Sequence, residues 1–163
     1  MPDDGAPAYR YRMAEYATID PWVISADTLA EIAFLTEVFG GVARAEPMLD
    51  GNGRVAHAEI AIGESVVMLF DSRETRPAYL RIYVDDVDAV LSRAQSRGAR
   101  VVTRPTELAW GDVVCRFRDP QGHLWWVFQK LDIDVAEMER RAQDPRFQEA
   151  MEYVRSSAAD DLA

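Results

Sequence analysis

The segment Trp110–Gln129, WGDVVCRFRDPQGHLWWVFQ, constrains the fold of this chain more than any other segment. Its centre, Asp119–Gly122, is a turn sequence in which Pro120 fixes the backbone of the first corner and Gly122 tolerates a positive φ. Strand-forming residues lie on both sides, so the segment predicts a β-hairpin. The outgoing strand, Leu124–Phe128, is apolar at every position, and we therefore expect both of its faces to be covered.

The order of predicted elements repeats along the chain. Each half reads strand, helix and then three strands, from the change between period-two and helical spacing. A helix-capping aspartate and two turn glycines recur about 59 residues apart: Asp27 and Asp86, Gly40 and Gly98, Gly63 and Gly122. This repetition predicts a tandem duplication of a βαβββ module.

The duplication divides the chain into five predicted segments. They are an N-terminal arm (1–17), a first module (18–70), a linker (71–78), a second module (79–130) and a C-terminal helical extension (131–163). The arm either orders only on contact or packs on a partner subunit. The first strand is predicted at 19–25, the second as one strand over 42–49, and the strand after the second helix at 101–103. The extension is expected to form two helices, with Asp144 capping the second, and to cover the Trp125 face of the last strand.

Composition excludes several classes of protein. The 163 residues carry a net charge of −10, whereas a nucleic-acid-binding protein needs a basic face. No apolar run approaches the roughly 18 residues of a membrane span, and Asp3 and Asp4 stand where a signal peptide would be basic. We therefore expect a cytoplasmic protein. Its single cysteine, Cys115, rules out an internal disulfide and is expected to be a small apolar filler of a strand.

Alternation along the strands separates two faces of the predicted sheet. One face should meet the helices: Val23, Leu80, Ile82, Val84, Trp125 and Val127. The other should line a cavity: Trp22, Ile24, Tyr79, Arg81, Tyr83, Leu124, Trp126 and Phe128. Arg81, between two tyrosines, is the strongest candidate for holding a ligand, although an arginine at a strand edge can equally lie in solvent. The aromatic rings either line a binding site or simply fill the interior of the fold.

Two βαβββ modules with an Asp-Pro-x-Gly-His turn before the last strand resemble the vicinal oxygen chelate superfamily of glyoxalases, bleomycin-resistance proteins and dioxygenases. The resemblance covers roughly 18–129 and is strongest in 51–63 and 110–126. It implies an α+β fold in which the modules form an open, eight-stranded, barrel-like sheet around a ligand, followed here by C-terminal helices. It also implies a homodimer, since proteins of this family often pair their modules across two subunits.

Enzymes of that family hold a divalent metal with histidine and glutamate. Transferring those positions by motif gives Asp20, Val67, Tyr79 and Trp126, of which only Asp20 is a common metal ligand. We therefore expect neither a metal nor another cofactor. Without a metal there is no Lewis acid to stabilise an enediolate or to activate dioxygen.

Two functions remain open. The first is a metal-free binding protein that holds a small, aromatic or extended organic molecule, as antibiotic-sequestering relatives do. Its expected ligand-binding residues are Trp22, Tyr79, Arg81, Tyr83, Trp110, Trp126 and Phe128. The alternative is a lyase, isomerase or dioxygenase, either with unusual metal ligands or with His57 and Glu59 as an acid–base pair. A solvated polar face explains His57 and Glu59 equally well, and a structural role in the turn is expected for His123.

Overall fold

The computed structural model describes residues 16–163, so the predicted arm lies outside the description except for Tyr16 and Ala17. The chain divides into two compact units, one ending at Arg76 and the other beginning at Pro77. No helix within the described residues is long and apolar enough to cross a membrane.

The first unit contains one helix and one open sheet. Its elements are β1 (Trp22–Ser25), α1 (Thr28–Phe39), β2 (Val42–Ala43), β3 (Met48–Leu49), β4 (Val55–Ile62) and β5 (Ser65–Asp71). The strand order is β1-β5-β4-β2, with β3 also pairing with β4; β1 is parallel to β5 and the other pairs are antiparallel. As predicted, Asp27 caps α1, its side chain accepting a hydrogen bond from the Ala30 N–H at 3.0 Å.

The second unit repeats this arrangement and adds two helices. Its elements are β6 (Tyr79–Tyr83), α2 (Val87–Ser96), β7 (Arg100–Glu107), β8 (Asp112–Arg118), β9 (Leu124–Lys130), α3 (Val135–Ala142) and α4 (Pro145–Leu162). The strand order is β6-β9-β8-β7, with β6 parallel to β9. The α+β fold of two open sheets with C-terminal helices is therefore the predicted one.

Three predicted strands differ from the observed ones, and a proline lies at each difference. The first strand begins at Trp22 instead of residue 19, directly after Pro21. The segment 42–49 forms two short strands instead of one, because Pro47 has no N–H to donate to the ladder. The strand predicted at 101–103 extends from Arg100 to Glu107 and passes through Pro105. It can do so because β7 is an edge strand and its pairing register shifts between Thr103 and Thr106.

The two faces of the second sheet are covered by different helices. Trp125 and Val127 are buried on the face that α2 contacts, where Cys115 and Phe117 also lie. The helix α4 lies on the opposite face, where Val154 packs with Leu108 and Val114. The expectation that the C-terminal extension covers the Trp125 face is therefore wrong. The predicted α2 already fills that face, and α4 covers the remaining apolar surface of β7 and β8.

Candidate functional site

The open face of the second sheet holds most of the predicted ligand-binding residues. Pairing places Tyr79 beside Leu124, Arg81 beside Trp126, and Tyr83 beside Phe128. Residues paired in this way share a face of the sheet. Tyr79 is 60% exposed and Tyr83 is 51% exposed, so the β6 side of this face is open to solvent.

Arg81 lies against aromatic rings. The carbon at the centre of its guanidinium is 4.7 Å from the ring centroid of Tyr83 and 4.9 Å from that of Phe128, and Nη2 donates a hydrogen bond to the Tyr83 hydroxyl. Such contacts orient the cation without neutralising it. Among residues 16–163, no carboxylate forms an ion pair with Arg81. The charge remains available to an anion.

Arg116 is a second cation on the same face, and the sequence analysis missed it. It pairs with Trp126 across the hairpin, and its guanidinium stacks 3.8 Å from the Trp126 ring centroid. Its Nη1 donates to the Thr103 hydroxyl at 2.9 Å and to the Val154 carbonyl at 2.7 Å. The residue is only 3% exposed, and its Nε has no hydrogen-bond partner in the described part of the chain.

Burial lowers the pKa of Arg116, because a desolvated cation is less stable than a hydrated one. No described carboxylate offsets this cost. An arginine nonetheless stays protonated at neutral pH. Trp126 therefore lies in a row between two arginines, Arg81 on β6 and Arg116 on β8, and neither arginine has an acidic partner among residues 16–163. One ring face of Trp126 is covered by Arg116, and the residue as a whole is partly exposed.

The helix α4 borders this row on the β7 side. Asp161 forms ion pairs of 2.6 Å with both Arg100 and Arg118, and the hydroxyls of Thr103 and Ser157 are 2.8 Å apart. Burial alone would raise the pKa of Asp161, but the hydrogen bonds from the two arginines outweigh it and hold the pKa below its usual range. Val154 of α4 also packs with Leu108 and Val114, in a cluster against which Phe128 packs, so α4 covers the β7 side of this face.

Trp110 lies away from the other predicted ligand-binding residues. It precedes β8, and its Nε1 donates to the Asp112 carboxylate at 2.7 Å. Asp112 pairs with Lys130 at the end of the sheet, two rows beyond Trp126 on the same face. Four residues of strand span about 13 Å. The register therefore does not bring Trp110 to the row of Arg81 and Trp126.

The first sheet also has an open face, and it carries the remaining predicted residues. Trp22 pairs with Met68, and Met68 pairs with Glu59, so these side chains share a face with His57. The Glu59 carboxylate accepts hydrogen bonds from His57 Nε2, the Tyr16 hydroxyl and Arg44 Nη1, each at 3.0 Å. The sequence analysis did not find Tyr16 and Arg44, because they come from segments outside β4.

His123 has a structural role, as expected for a residue of the turn. It is fully buried, and its Nδ1 accepts a hydrogen bond from the Ala78 N–H at 3.0 Å. The Asp119 carboxylate accepts hydrogen bonds from the His123 N–H at 3.0 Å and from Trp125 Nε1 at 2.7 Å. Burial raises the pKa of Asp119 and lowers that of His123, since it disfavours both charges. Cys115 is also fully buried, and burial raises the pKa of its thiol to about 12, which leaves it inert as a nucleophile.

The positions that correspond to the family's metal ligands do not fit a divalent metal. Val67 is buried in the face that α1 contacts, together with Ile60 and Leu69, and offers no donor atom. Trp126 has no lone pair for a metal, and a tyrosine such as Tyr79 is an uncommon ligand for the divalent ions of this fold. Asp20 supplies a single carboxylate, so this donor set cannot form a metal centre.

A cleft of about 310 Å³ lies where α3 and the start of α4 meet the end of β7. Its walls are charged, but the charges are matched within it. Arg141 pairs with both Glu107 and Glu137, and Arg146 pairs with Asp144. These pairs join α3 to β7 and cap α4, so the charges of the cleft have a structural role.

Comparison with known proteins supports the fold at the level of a family. The family model described as Glyoxalase/Bleomycin resistance protein/Dioxygenase superfamily matches residues 18–127. The uncharacterized protein Mb0911c of Mycobacterium bovis is 29% identical over 127 residues, which cover 69% of this chain and 83% of that protein. The uncharacterized protein Rv0887c of Mycobacterium tuberculosis is also 29% identical over 127 residues and is covered to 74%.

Two solved structures show the same fold at low identity. TioX from Micromonospora sp. ML1 matches with a TM-score of 0.58 and 23% identity, covering 71% of this chain and 100% of that one. The fosfomycin resistance protein FosX from Listeria monocytogenes has a TM-score of 0.58 and 14% identity, covering 75% of this chain and 97% of that one. At these identities the likeness concerns the fold alone.

Proposed function

The chain belongs to the glyoxalase/bleomycin resistance protein/dioxygenase superfamily, and from that premise we propose that it binds an aromatic or extended organic anion, without a metal, on the open face of its second unit. The observation that carries the proposal is the row formed by Arg81, Trp126 and Arg116. Two cations that have no acidic partner in the described part of the chain flank one indole, and one of them is almost completely buried. A buried cation is costly unless something compensates it, and a ligand's carboxylate, sulfonate or phosphate would do so.

The rest of this face supplies contacts for a planar molecule. Tyr79 and Tyr83 are exposed on either side of Arg81, and Phe128 and Trp126 lie beside them on β9. A ring stacked on one such wall gains about 0.5–1.5 kcal/mol beyond the burial of its area. Binding alone would be enough to sequester a toxic compound. We place antibiotics among the first ligands to screen, since one structural neighbour is a fosfomycin resistance protein.

The test uses two dyes that share a ring system but differ in charge. 1-Anilinonaphthalene-8-sulfonate carries a sulfonate, whereas N-phenyl-1-naphthylamine does not. The chain contains four tryptophans, so the dye's own emission is a more selective signal than protein fluorescence. We expect the parent protein to bind the sulfonate more tightly than the neutral dye. Arg81→Ala should weaken sulfonate binding about fivefold, the equivalent of about 1 kcal/mol for an exposed cation.

The matched control is Arg155→Ala, which removes one positive charge from an exposed position on α4. It should leave the affinity for both dyes unchanged. Arg81→Ala should leave the neutral dye unaffected. The proposal is contradicted if Arg81→Ala and Arg155→Ala bind the sulfonate equally well, because the anion would then not contact Arg81.

A further inference from the structure

The open face of the first unit carries a polar cluster formed by Tyr16, Arg44, His57 and Glu59. Glu59 lies at its centre, with its side chain 17% exposed, and accepts hydrogen bonds from the other three residues. These residues come from three places: the segment before β1, the segment after β2, and β4 itself. A solvated glutamate does not need three donors from separate segments, so the cluster fixes the position of this carboxylate.

The cluster also fixes the proton on His57. Burial would raise the pKa of Glu59, but hydrogen bonds from His57 and Tyr16, together with the charge of Arg44, outweigh burial and leave the pKa below its usual range. Glu59 is therefore ionised near neutral pH and can only accept. His57 Nε2 must then carry the hydrogen, and the lone pair of the neutral imidazole is on Nδ1. Among the described residues, Nδ1 has no recorded hydrogen-bond partner, and the His57 side chain is 35% exposed.

An aromatic wall lies beside this imidazole. The ring centroid of Trp22 is 5.7 Å from that of His57 and 5.4 Å from that of Phe70, in both cases edge to face. Trp22 is 50% exposed, so a large part of the indole is available to a flat molecule. A planar ligand against Trp22 would bring its edge to His57, and there an acidic proton would meet the lone pair of Nδ1.

We propose that the first unit holds a metal-free proton-transfer site, in which His57 Nδ1 accepts a proton from a planar organic molecule bound against Trp22. In this step the C–H bond breaks, its electron pair stays with the substrate, and the proton forms the new Nδ1–H bond. Glu59 acts as a positioning residue, since it orients the ring and stabilises the imidazolium that forms. Among the described charged and titratable groups, Glu59 on the same strand contacts His57, and Arg44 after β2 and Tyr16 before β1 contact Glu59. Arg44 balances the charge of Glu59.

The test uses 5-nitrobenzisoxazole, a planar molecule that reports the removal of one proton from carbon. Loss of that proton turns the C–H electron pair into part of a nitrile, while the N–O bond breaks and its electrons pass to oxygen. The coloured product is a cyanonitrophenolate. We expect the full-length protein to accelerate this reaction. His57→Gln should lower kcat/KM on the order of 100-fold, the lower end of the usual contribution of a general base.

Two further variants separate the roles of the other residues. Glu59→Gln removes the charge that orients the ring and stabilises the imidazolium, so kcat should fall while KM changes little. Trp22→Ala should raise KM severalfold with a smaller change in kcat, because it removes the wall and leaves the base. Arg155→Ala serves again as the control and should match the parent.

The chain has only two histidines, and His123 is fully buried, so the ring-nitrogen NMR spectrum can be assigned with one variant. The signal lost in His57→Gln should show the tautomer that carries its hydrogen on Nε2. The inference is overturned if His57→Gln, folded by circular dichroism, reacts as fast as the parent. A kcat that does not fall in Glu59→Gln would overturn the role of Glu59. The dye assay of the second unit does not depend on His57, so either proposal can fail alone.

Discussion

Replacing Arg116 with methionine should separate ligand binding from stability. Arg116 is 3% exposed and lacks an acidic partner in the described part of the chain, yet its guanidinium contacts Trp126, Thr103 and the Val154 carbonyl. Methionine retains an unbranched apolar stem that can occupy the same space. The substitution therefore removes a buried charge while preserving most of the packing of α4 on the sheet.

The expected change in stability is small because two large contributions nearly cancel. Burying a guanidinium costs several kcal/mol. Two hydrogen bonds from a charged donor return about 1.5–3 kcal/mol each, and the contact with the Trp126 ring returns about 0.5–2 kcal/mol. Neither acceptor loses its last hydrogen-bond partner, because the Thr103 hydroxyl still pairs with the Ser157 hydroxyl at 2.8 Å and the Val154 carbonyl lies within α4. We expect the free energy of unfolding to stay within about 1 kcal/mol of the parent value.

Anion binding should respond much more strongly. A charge-assisted contact in a site from which water is excluded contributes about 1.5–3 kcal/mol, so Arg116→Met should weaken binding of anilinonaphthalene sulfonate about 10- to 100-fold. Urea denaturation followed by circular dichroism measures the stability, and dye titration of the folded variant measures the affinity. The neutral naphthylamine should bind as it does to the parent.

Arg118→Met provides the matched comparison, one row along the same strand. Arg118 donates to Asp161 through Nε and Nη2 and to the Gly122 carbonyl through Nη1, so its removal leaves a buried carboxylate with Arg100 alone. We expect a loss of about 1–3 kcal/mol in stability with a smaller effect on dye affinity. The reasoning is refuted if the free energy of unfolding of Arg116→Met falls by more than about 3 kcal/mol while its folded form binds the sulfonate normally. Arg116 would then serve to hold α4 on the sheet.

The remaining predictions concern pH, metal content and assembly. The folded-state pKa of Asp161 lies below its ordinary value of 3.8, so the stabilisation it gives α4 is complete above pH 3.8 and is lost as the pH falls below it. Urea titrations at several pH values should show this loss of stability in the parent, and Asp161→Asn should abolish it. The purified protein should contain no stoichiometric Ni, Zn, Fe or Mn by elemental analysis, and one ion per chain that disappears in Asp20→Asn would contradict this. A homodimer is expected because Val42 and Met48 are exposed on short outer strands. Light scattering at micromolar concentration should give twice the chain mass, and Met48→Glu should lower the measured mass.

Much of the fold follows from local patterns that the chain contains twice. The aspartates that cap α1 and α2, the turn around Asp119 and the alternation on β6 and β9 are local signals, and the structure has each of them as predicted. The register of the hairpin was also available from the sequence. Counting outward from the turn places Arg116 opposite Trp126, so this second arginine could have been found.

Other parts of the candidate sites could not be read from local patterns. The face of the sheet that α4 covers depends on which apolar surface α2 leaves open. This outcome is set by contacts between segments that are far apart in the chain. The same holds for Tyr16, which lies 43 residues from the Glu59 that it contacts. That the predicted aromatic and arginine residues bind a ligand, and that His57 and Glu59 transfer a proton, are still predictions. The role of Trp110 in ligand binding is also still a prediction, although the strand register places Trp110 apart from Arg81 and Trp126.

The turn around Asp119 also determines how this site can change during evolution. Asp119 holds the Trp125 indole by a bond of 2.7 Å, and Gly122 adopts a φ of 94°, so the length of the turn fixes which of two adjacent tryptophans faces α2. Inserting or deleting one residue there would exchange Trp125 and Trp126 and turn the whole strand over. Substitutions on the open face carry no such penalty. Divergent ligand preferences can therefore arise by point mutation at constant loop length, and a directed-evolution library should vary the side chains of β6 and β9 while keeping this loop intact.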